Sequence, residues 1–295
     1  MRHALAAALL ALAAQGPAQA AWPVFCSQPL QPTAAQQDRL LRFGSVLRDW
    51  LRTLPDEAVL VSRSGTNLQR LGERYSHAGV ALRDSPLSPW AVRQLYYACE
   101  ERRPRVFDQG LPAFLLDFAD PDEGHVSVLR LPPGAAAALA RQALDDRQAL
   151  SVLSPNYNAG SYPFDPTDQN CNQWLLELMA GAWGAGPGRA GAQAWLAQAG
   201  YRPAQVDTGA LQGLALFIPW VHSTGQPAAT LQRGVWQVSL PSSLEAFVQQ
   251  RWPQTRRTEL CHDRDRVVVR EDGPPDRKST RLNSSHGYIS YAVFC

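Results

Sequence analysis

Apolar residues recur at helical spacing across residues 33–53, where Leu40, Leu41, Phe43, Val46, Leu47, Trp50 and Leu51 are separated by Arg and Asp; this predicts an amphipathic helix. The pattern then shortens. Residues 58–62 and 75–82 predict two strands, the second stopped by Pro86 and Pro89, and residues 90–97 predict a third that 105–107 extends. Residues 111–118 read as a short helix or turn, 125–131 as another strand, and 135–150, opened by Pro132, Pro133 and Gly134, as one alanine-rich helix. A loop with Asn156, Tyr157, Asn158, Gly160, Tyr162, Pro163 and Pro166 leads into residues 168–180, where Trp174, Leu175 and Leu178 form an apolar helical stripe. Beyond it the chain predicts a helix over 192–199 ended by Gly200, and strands at 214–221, 235–240 and 267–269. A helix running to Trp252 follows the capping box Ser242-Ser-Leu-Glu245. No internal repeat or long low-complexity linker divides this order, so a single α+β domain is expected.

The two ends change the picture. Arg2 and His3, an apolar run over 4–14, then Gly16, Pro17 and Ala18-Gln19-Ala20 have the layout of a secretory signal peptide; residues 1–20 are expected to be removed and the rest to be periplasmic or secreted. The apolar run is shorter than the roughly 20 residues of a bilayer-spanning helix, and no later segment replaces it. At the other end, Lys278 is the only lysine and Ile289 one of two isoleucines. Residues 276–295 resemble translated vector or adaptor sequence and are set aside, with His286 and Cys295, leaving 21–275 as the domain. Removing Arg2, Arg277, Lys278 and Arg281 from the 28 Lys and Arg, and Asp276 from the 26 Asp and Glu, leaves 24 basic against 25 acidic residues. The formal net charge of +2 therefore gives no footprint for nucleic acid. The oligomeric state is left open.

Four cysteines remain: Cys26, Cys99, Cys171 and Cys261. An oxidising compartment favours two bridges, but a free Cys171 leaves three others and so at most one bridge without outside partners, in any pairing. Cys171 follows the N-cap formers Thr167, Asp168 and Asn170 and enters the apolar stripe, which puts it in the first turn of a helix. There the open N–H groups and the dipole are expected to lower the thiol pKa and to hold an oxyanion. Asn170 and Asn172 make this turn polar, as a substrate site would be; a buried structural cysteine or a disulfide half is the other reading.

A nucleophilic thiol needs a base, and His77 is the candidate, with Tyr75 and Gly79 on the same strand face by the two-residue period. Gly79 would leave room for substrate and Tyr75 would offer a hydroxyl. A structural role for His77 is the alternative, and His125, His222 and His262 have weaker settings. Tyr75-Ser-His-Ala-Gly-Val followed far downstream by Gln169-Asn-Cys-Asn-Gln-Trp resembles the circularly permuted branch of the NlpC-type papain-like superfamily. The chain also resembles an exported bacterial family known as a domain of unknown function. The first resemblance implies a papain-like domain, an antiparallel sheet packed on a cysteine-bearing helix, with Cys171 as nucleophile and His77 as base.

Such sites orient the imidazole with a polar group on the next strand, for which Gln94 is chosen; Arg93, Glu100 or Asp108 would serve in another register. No obvious acid or histidine stands there, a departure from the superfamily's pattern. Cys261-His262-Asp263 lacks a second Cys/His pair and reads as a charged surface loop or a disulfide half rather than a metal site. No phosphate-binding or dinucleotide glycine motif calls for a cofactor. The expected function is a periplasmic cysteine hydrolase, an amidase, peptidase or acyl-transfer enzyme, with cell-wall peptide as substrate on compartment grounds. Its rival is a non-catalytic envelope binding module with Tyr75, Tyr157, Tyr162 and Trp174 lining a groove.

Overall fold

The computed structural model describes residues 32–116, 118, 120–209 and 220–271. The leader, Cys26, all but the last two residues of the strand expected at 214–221, and the tail from 276 lie outside the described residues. In chain order the elements are α1 (Ala34–Arg52), β1 (Ala58–Arg63), β2 (His77–Leu82), β3 (Ala91–Ala98), β4 (Arg103–Gln109), α2 (Leu111–Leu115) and β5 (Glu123–Arg130). Then come α3 (Pro133–Leu144), α4 (Asp146–Ser151), β6 (Asn156–Tyr157), β7 (Asp168–Gln169), α5 (Cys171–Ala182), α6 (Gly188–Gln198) and β8 (Ala204–Asp207). Last are α7 (Ala228–Leu231), β9 (Val235–Val238), α8 (Pro241–Arg251), β10 (Arg256–Asp263) and β11 (Arg266–Glu271).

Seven strands form one antiparallel sheet in the order β11-β10-β5-β1-β2-β3-β4, so the fold is mixed α+β. Strand alternation divides the core in two. Val59, Val61, Ala81, Val92 and Val128 face α1 and α2, meeting Leu40, Phe43, Leu47 and Phe114. Leu60, Val80, Leu95 and Leu129 face the other way, onto Leu139 of α3, Trp174, Leu175 and Leu178 of α5, and Phe247 of α8. Burying each such side chain contributes about 1.5–3 kcal/mol, which is why both helical layers stay on the sheet. The α1 start is fixed by Thr33, whose hydroxyl accepts from the Gln36 N–H at 3.3 Å while Gln36 Oε1 accepts from the Thr33 N–H at 2.9 Å.

Three expectations change. The single helix over 135–150 is two, because Asp145 leaves helical geometry (ψ 107°) and its carboxylate caps α4 by accepting from the N–H groups of Arg147 and Gln148. The capping box at 242–245 is not made. Pro241 begins α8, Ser243 Oγ accepts from the Leu240 N–H at 3.1 Å, and Glu245 turns to Arg257 instead. Finally, Cys261-His262-Asp263 ends an inner strand rather than lying in a surface loop: β10 is buried between β5 and β11 because its charges are paired. Arg257 binds Glu245 and Glu259, and Arg74 binds Glu259.

The described cysteines differ in oxidation state. Cys171 is free, and both Cys99 and Cys261 are disulfide-bonded. Cys99 follows β3 and Cys261 lies in β10, with β5, β1 and β2 between them.

Candidate functional site

The start of α5 is held from three sides. Asn170 caps it, its Oδ1 accepting from the Gln173 N–H at 2.7 Å while Nδ2 donates to the carbonyls of Ala159 and Ser239. Asn172 Nδ2 donates to Ser239 O at 3.2 Å and to Ser76 O at 3.1 Å, which ties the helix start to the residue before His77. Its Oδ1 has no hydrogen-bond partner among the described residues. Behind the helix, Glu177 is fully buried and accepts from Gln169 (2.7 Å), Gln173 (3.0 Å), Gln193 (2.9 Å) and Arg189 (2.9 Å). Burial pushes its carboxyl up, against Arg189 and the amides pulling it down. The Gln residues flanking Cys171 thus serve a buried anchor, and Asn170 and Asn172 hold the helix start.

Cys171 is only 8% exposed. Burial pushes the Cys171 thiol up to about 11, against four smaller influences that favour the thiolate: the N–H groups of Asn172 and Cys171, the Tyr157 hydroxyl and the charge of Arg63. The expected lowering at a helix start is therefore reversed, since the donors are present and desolvation exceeds them. Tyr157 is fixed by the parallel pairing of β6 with β7, opposite Gln169, and by stacking on Tyr97 at 5.2 Å. Tyr97 in turn meets Trp220 at 5.8 Å.

His77 opens β2 and stands directly opposite Arg63 of β1. Its Nε2 lies 2.6 Å from Gln94 Oε1, and Gln94 Nε2 donates to Gln109 Oε1 on β4. An amide oxygen can only accept, so the imidazole carries its proton on Nε2 and leaves the Nδ1 lone pair available. Burial, with the charge of Arg63, lowers the imidazole from 6.5 to about 3, while the bond to Gln94 works weakly the other way. Resting Cys171 and His77 are thus both neutral.

Alternation turns His77 and Gln94 toward the α1–α2 layer, where the ring lies 4.9 Å from Tyr96 and 6.3 Å from Phe114; Cys171 belongs to the opposite core. Ladder pairing of β2 with β3 joins Val80–Leu82 to Ala91–Arg93, and His77 and Gln94 lie beyond it. The same Arg63 charge acts on both, and Tyr157, beside the sulfur, feels Tyr96, beside the imidazole. Among the described residues no hydrogen bond joins Sγ to the imidazole.

The other residues singled out have different settings. Tyr75 precedes β2, and its hydroxyl donates to Glu259 Oε2 at 2.6 Å and accepts from Arg257 at 3.2 Å. Gly79 faces β3: a Cβ there would lie 2.5 Å from Val92 Cγ1 and 3.2 Å from Gln94 Cβ, so its smallness is required by strand packing. Tyr162 packs edge-on against Phe164, and Trp174 is wholly buried with Nε1 donating to Ala149 O, so Trp174 lines no groove. Arg93 and Asp108 bind each other in a two-pronged ion pair, and Glu100 lies exposed in a turn. His125 meets Glu123, His222 lies between Asn158 and Asp168, and His262 is wedged between Phe43 and Phe118.

Sequence reasoning missed Arg63, Tyr96 and Gln109. Arg63 carried a signal, a cation closing an otherwise apolar strand; Gln109 carried none. Among the described residues no group of three His, Cys, Asp or Glu side chains could hold a metal ion, and no helix is long and apolar enough to cross a membrane. A family model described as "Uncharacterized protein conserved in bacteria (DUF2145)" matches residues 51–248, a span that includes Cys171, His77, Gln94 and Gln109. No curated protein and no solved structure matches the chain.

Proposed function

The chain belongs to the bacterial DUF2145 family, and we propose that it is an exported cysteine hydrolase in which Cys171 is the nucleophile, His77 the base and Gln94 the group that orients the imidazole. One observation carries this reading. A free thiol under two backbone N–H groups begins α5, and the helix start is bonded to the residue preceding a histidine whose Nε2–H is held by an amide oxygen. The order of histidine strand before cysteine helix, with an antiparallel sheet beneath, supports a circularly permuted papain-like arrangement. The Arg2–Ala20 leader supports export, and in that compartment a cell-wall peptide is the amide most at hand.

The reaction starts from the neutral pair. Sγ–H gives its proton to His77 Nδ1 as the sulfur electron pair forms a bond to the acyl carbon, and the carbonyl π pair moves to oxygen. The N–H groups of Cys171 and Asn172, which face the sulfur, would hold that oxygen. Collapse breaks the carbon–nitrogen bond, and the amine leaves with the Nδ1 proton. Water then attacks the thioester, giving a proton to Nδ1 that returns to sulfur as the acid departs.

The test is iodoacetamide labelling of Cys171 across pH, together with mass spectrometry of muropeptides incubated with the protein, Cys171→Ser and His77→Ala. Cleavage lost in Cys171→Ser and reduced about 10²–10⁴-fold in His77→Ala is expected, with slower labelling of Cys171 in His77→Ala. No cleavage, with labelling unchanged in His77→Ala, would refute the hydrolase. The low exposure of the sulfur favours one second reading, an envelope module that binds such peptides without cutting them; retention of muropeptide by Cys171→Ser and wild type alike, with no product, is its signature.

A further inference from the structure

Gln94 has two different neighbours for the two ends of its amide. Its oxygen accepts from His77 Nε2 at 2.6 Å, and its nitrogen donates to Gln109 Oε1. Turning a carboxamide by 180° exchanges oxygen and nitrogen with almost no change of shape, so packing alone does not choose between the two orientations. The side chain at the far end biases the choice, because Gln109 presents an acceptor, Oε1, to it. In the β3–β4 register Gln94 stands opposite Phe107 and Gln109 opposite Val92, so the two glutamines are diagonal neighbours on one face. Arg63 lowers the imidazole's affinity for a proton, but a point charge across the ladder does not dictate which nitrogen keeps the one proton of the neutral ring.

We propose that Gln109 is a positioning residue for His77: by accepting from Gln94 Nε2 it turns Gln94 Oε1 toward the imidazole, which keeps the proton on Nε2 and leaves the Nδ1 lone pair as the base. The consequence for catalysis rests on the hydrolase reading, because the tautomer matters to the reaction only if Nδ1 receives the thiol proton. The relay ends in an amide rather than a carboxylate, which suits a site whose resting imidazole is uncharged. A donor-only side chain at position 109 would reverse Gln94, present its NH₂ to the imidazole, and move the ring proton to Nδ1.

Two-bond ¹H–¹⁵N correlation spectra of the His77 ring near neutral pH report the tautomer directly, in the whole chain and without substrate. Wild type and Gln109→Glu, which can only accept, should show Nε2 protonated. Gln109→Lys should show Nδ1 protonated, and Gln109→Leu a mixture of the two. Muropeptide cleavage by Gln109→Lys should lose at least about tenfold in kcat with KM unchanged, while Gln109→Glu retains it. The Leu and Glu variants make the comparison even if the lysine variant fails to fold. Nε2 protonation in every folded variant would overturn the proposal while leaving the hydrolase standing. A tautomer that follows residue 109 in a protein that cleaves nothing would uphold the proposal and sink the hydrolase instead.

Discussion

At Cys171 and His77 burial outweighs every neighbour, and it acts in opposite directions on an acid and a base. A thiol held near 11 and an imidazole near 3 do not exchange a proton at rest, so on the proposed hydrolase reading the thiolate forms only as a substrate binds. The imidazole also links stability to acid. In the unfolded chain His77 binds a proton near its ordinary 6.5, whereas the folded ring resists until about 3. Between those values the unfolded state holds more protons, so the stability that a neutral His77 contributes is complete above 6.5 and is lost as pH falls toward 3. The slope is about 1.4 kcal/mol per pH unit, approaching ~5 kcal/mol over the window. Urea unfolding of wild type and His77→Gln at steps from pH 7 to 3.5 isolates it, since the buried His125 and His262 titrate alike in both proteins. The variant should lose stability less steeply by about that slope; parallel curves would mean that His77 titrates as it does in the unfolded chain.

Where elements meet, the site depends on how closely β2 and β3 approach before they part. Gly79 is the closest point: a methyl there would strike Val92 Cγ1 at 2.5 Å and the Arg93 carbonyl at 3.0 Å, and neither strand has room to yield inside the sheet. Gly79→Ala should therefore cost about 1–3 kcal/mol, read as a lower urea midpoint, and should shift the ring signals of His77 as Gln94 moves with β3. Gly134 in α3, with nothing near it, is the contrast: Gly134→Ala should be neutral or stabilising by up to about 1 kcal/mol. Equal effects of the two substitutions would show that β3 gives way freely. The same scale explains what could be read in advance. The α1 stripe, the strands 58–63 and 77–82 and the Asn170 cap follow from local period and local caps, so they were legible. β10 was not, because Arg257 and Glu259 read as surface until Glu245, Arg74 and Tyr75, from distant parts of the chain, are seen to neutralise them. The His77–Gln94 contact needed only two successive strands to be recognised, whereas Gln109 required the register of a third.

Across the whole molecule, the sheet separates two cores, and the candidate site draws its cysteine from the helix of one layer and its histidine from the strand face turned to the other. Such a site depends on the relative placement of the two layers, which no local pattern specifies; for the same reason, the spacing of the cysteines could not tell how they pair. Cys99 beside β3 and Cys261 in β10 lie toward opposite sides of the sheet and are both oxidised, while Cys171 in the core between sheet and helices is reduced. Among the described residues, oxidation is thus confined to cysteines outside the core that holds the candidate thiol. Denaturing the protein in iodoacetamide without reductant, then digesting it, should therefore return a peptide alkylated at Cys171, with Cys99 and Cys261 alkylated only after reduction. Recovery of Cys171 in a disulfide would remove the nucleophile and leave the binding reading. Recovery of Cys99 and Cys261 as free thiols would contradict their oxidation but leave the sulfur, its N–H donors and the His77–Gln94–Gln109 relay untouched, because none of these groups is bonded to either cysteine.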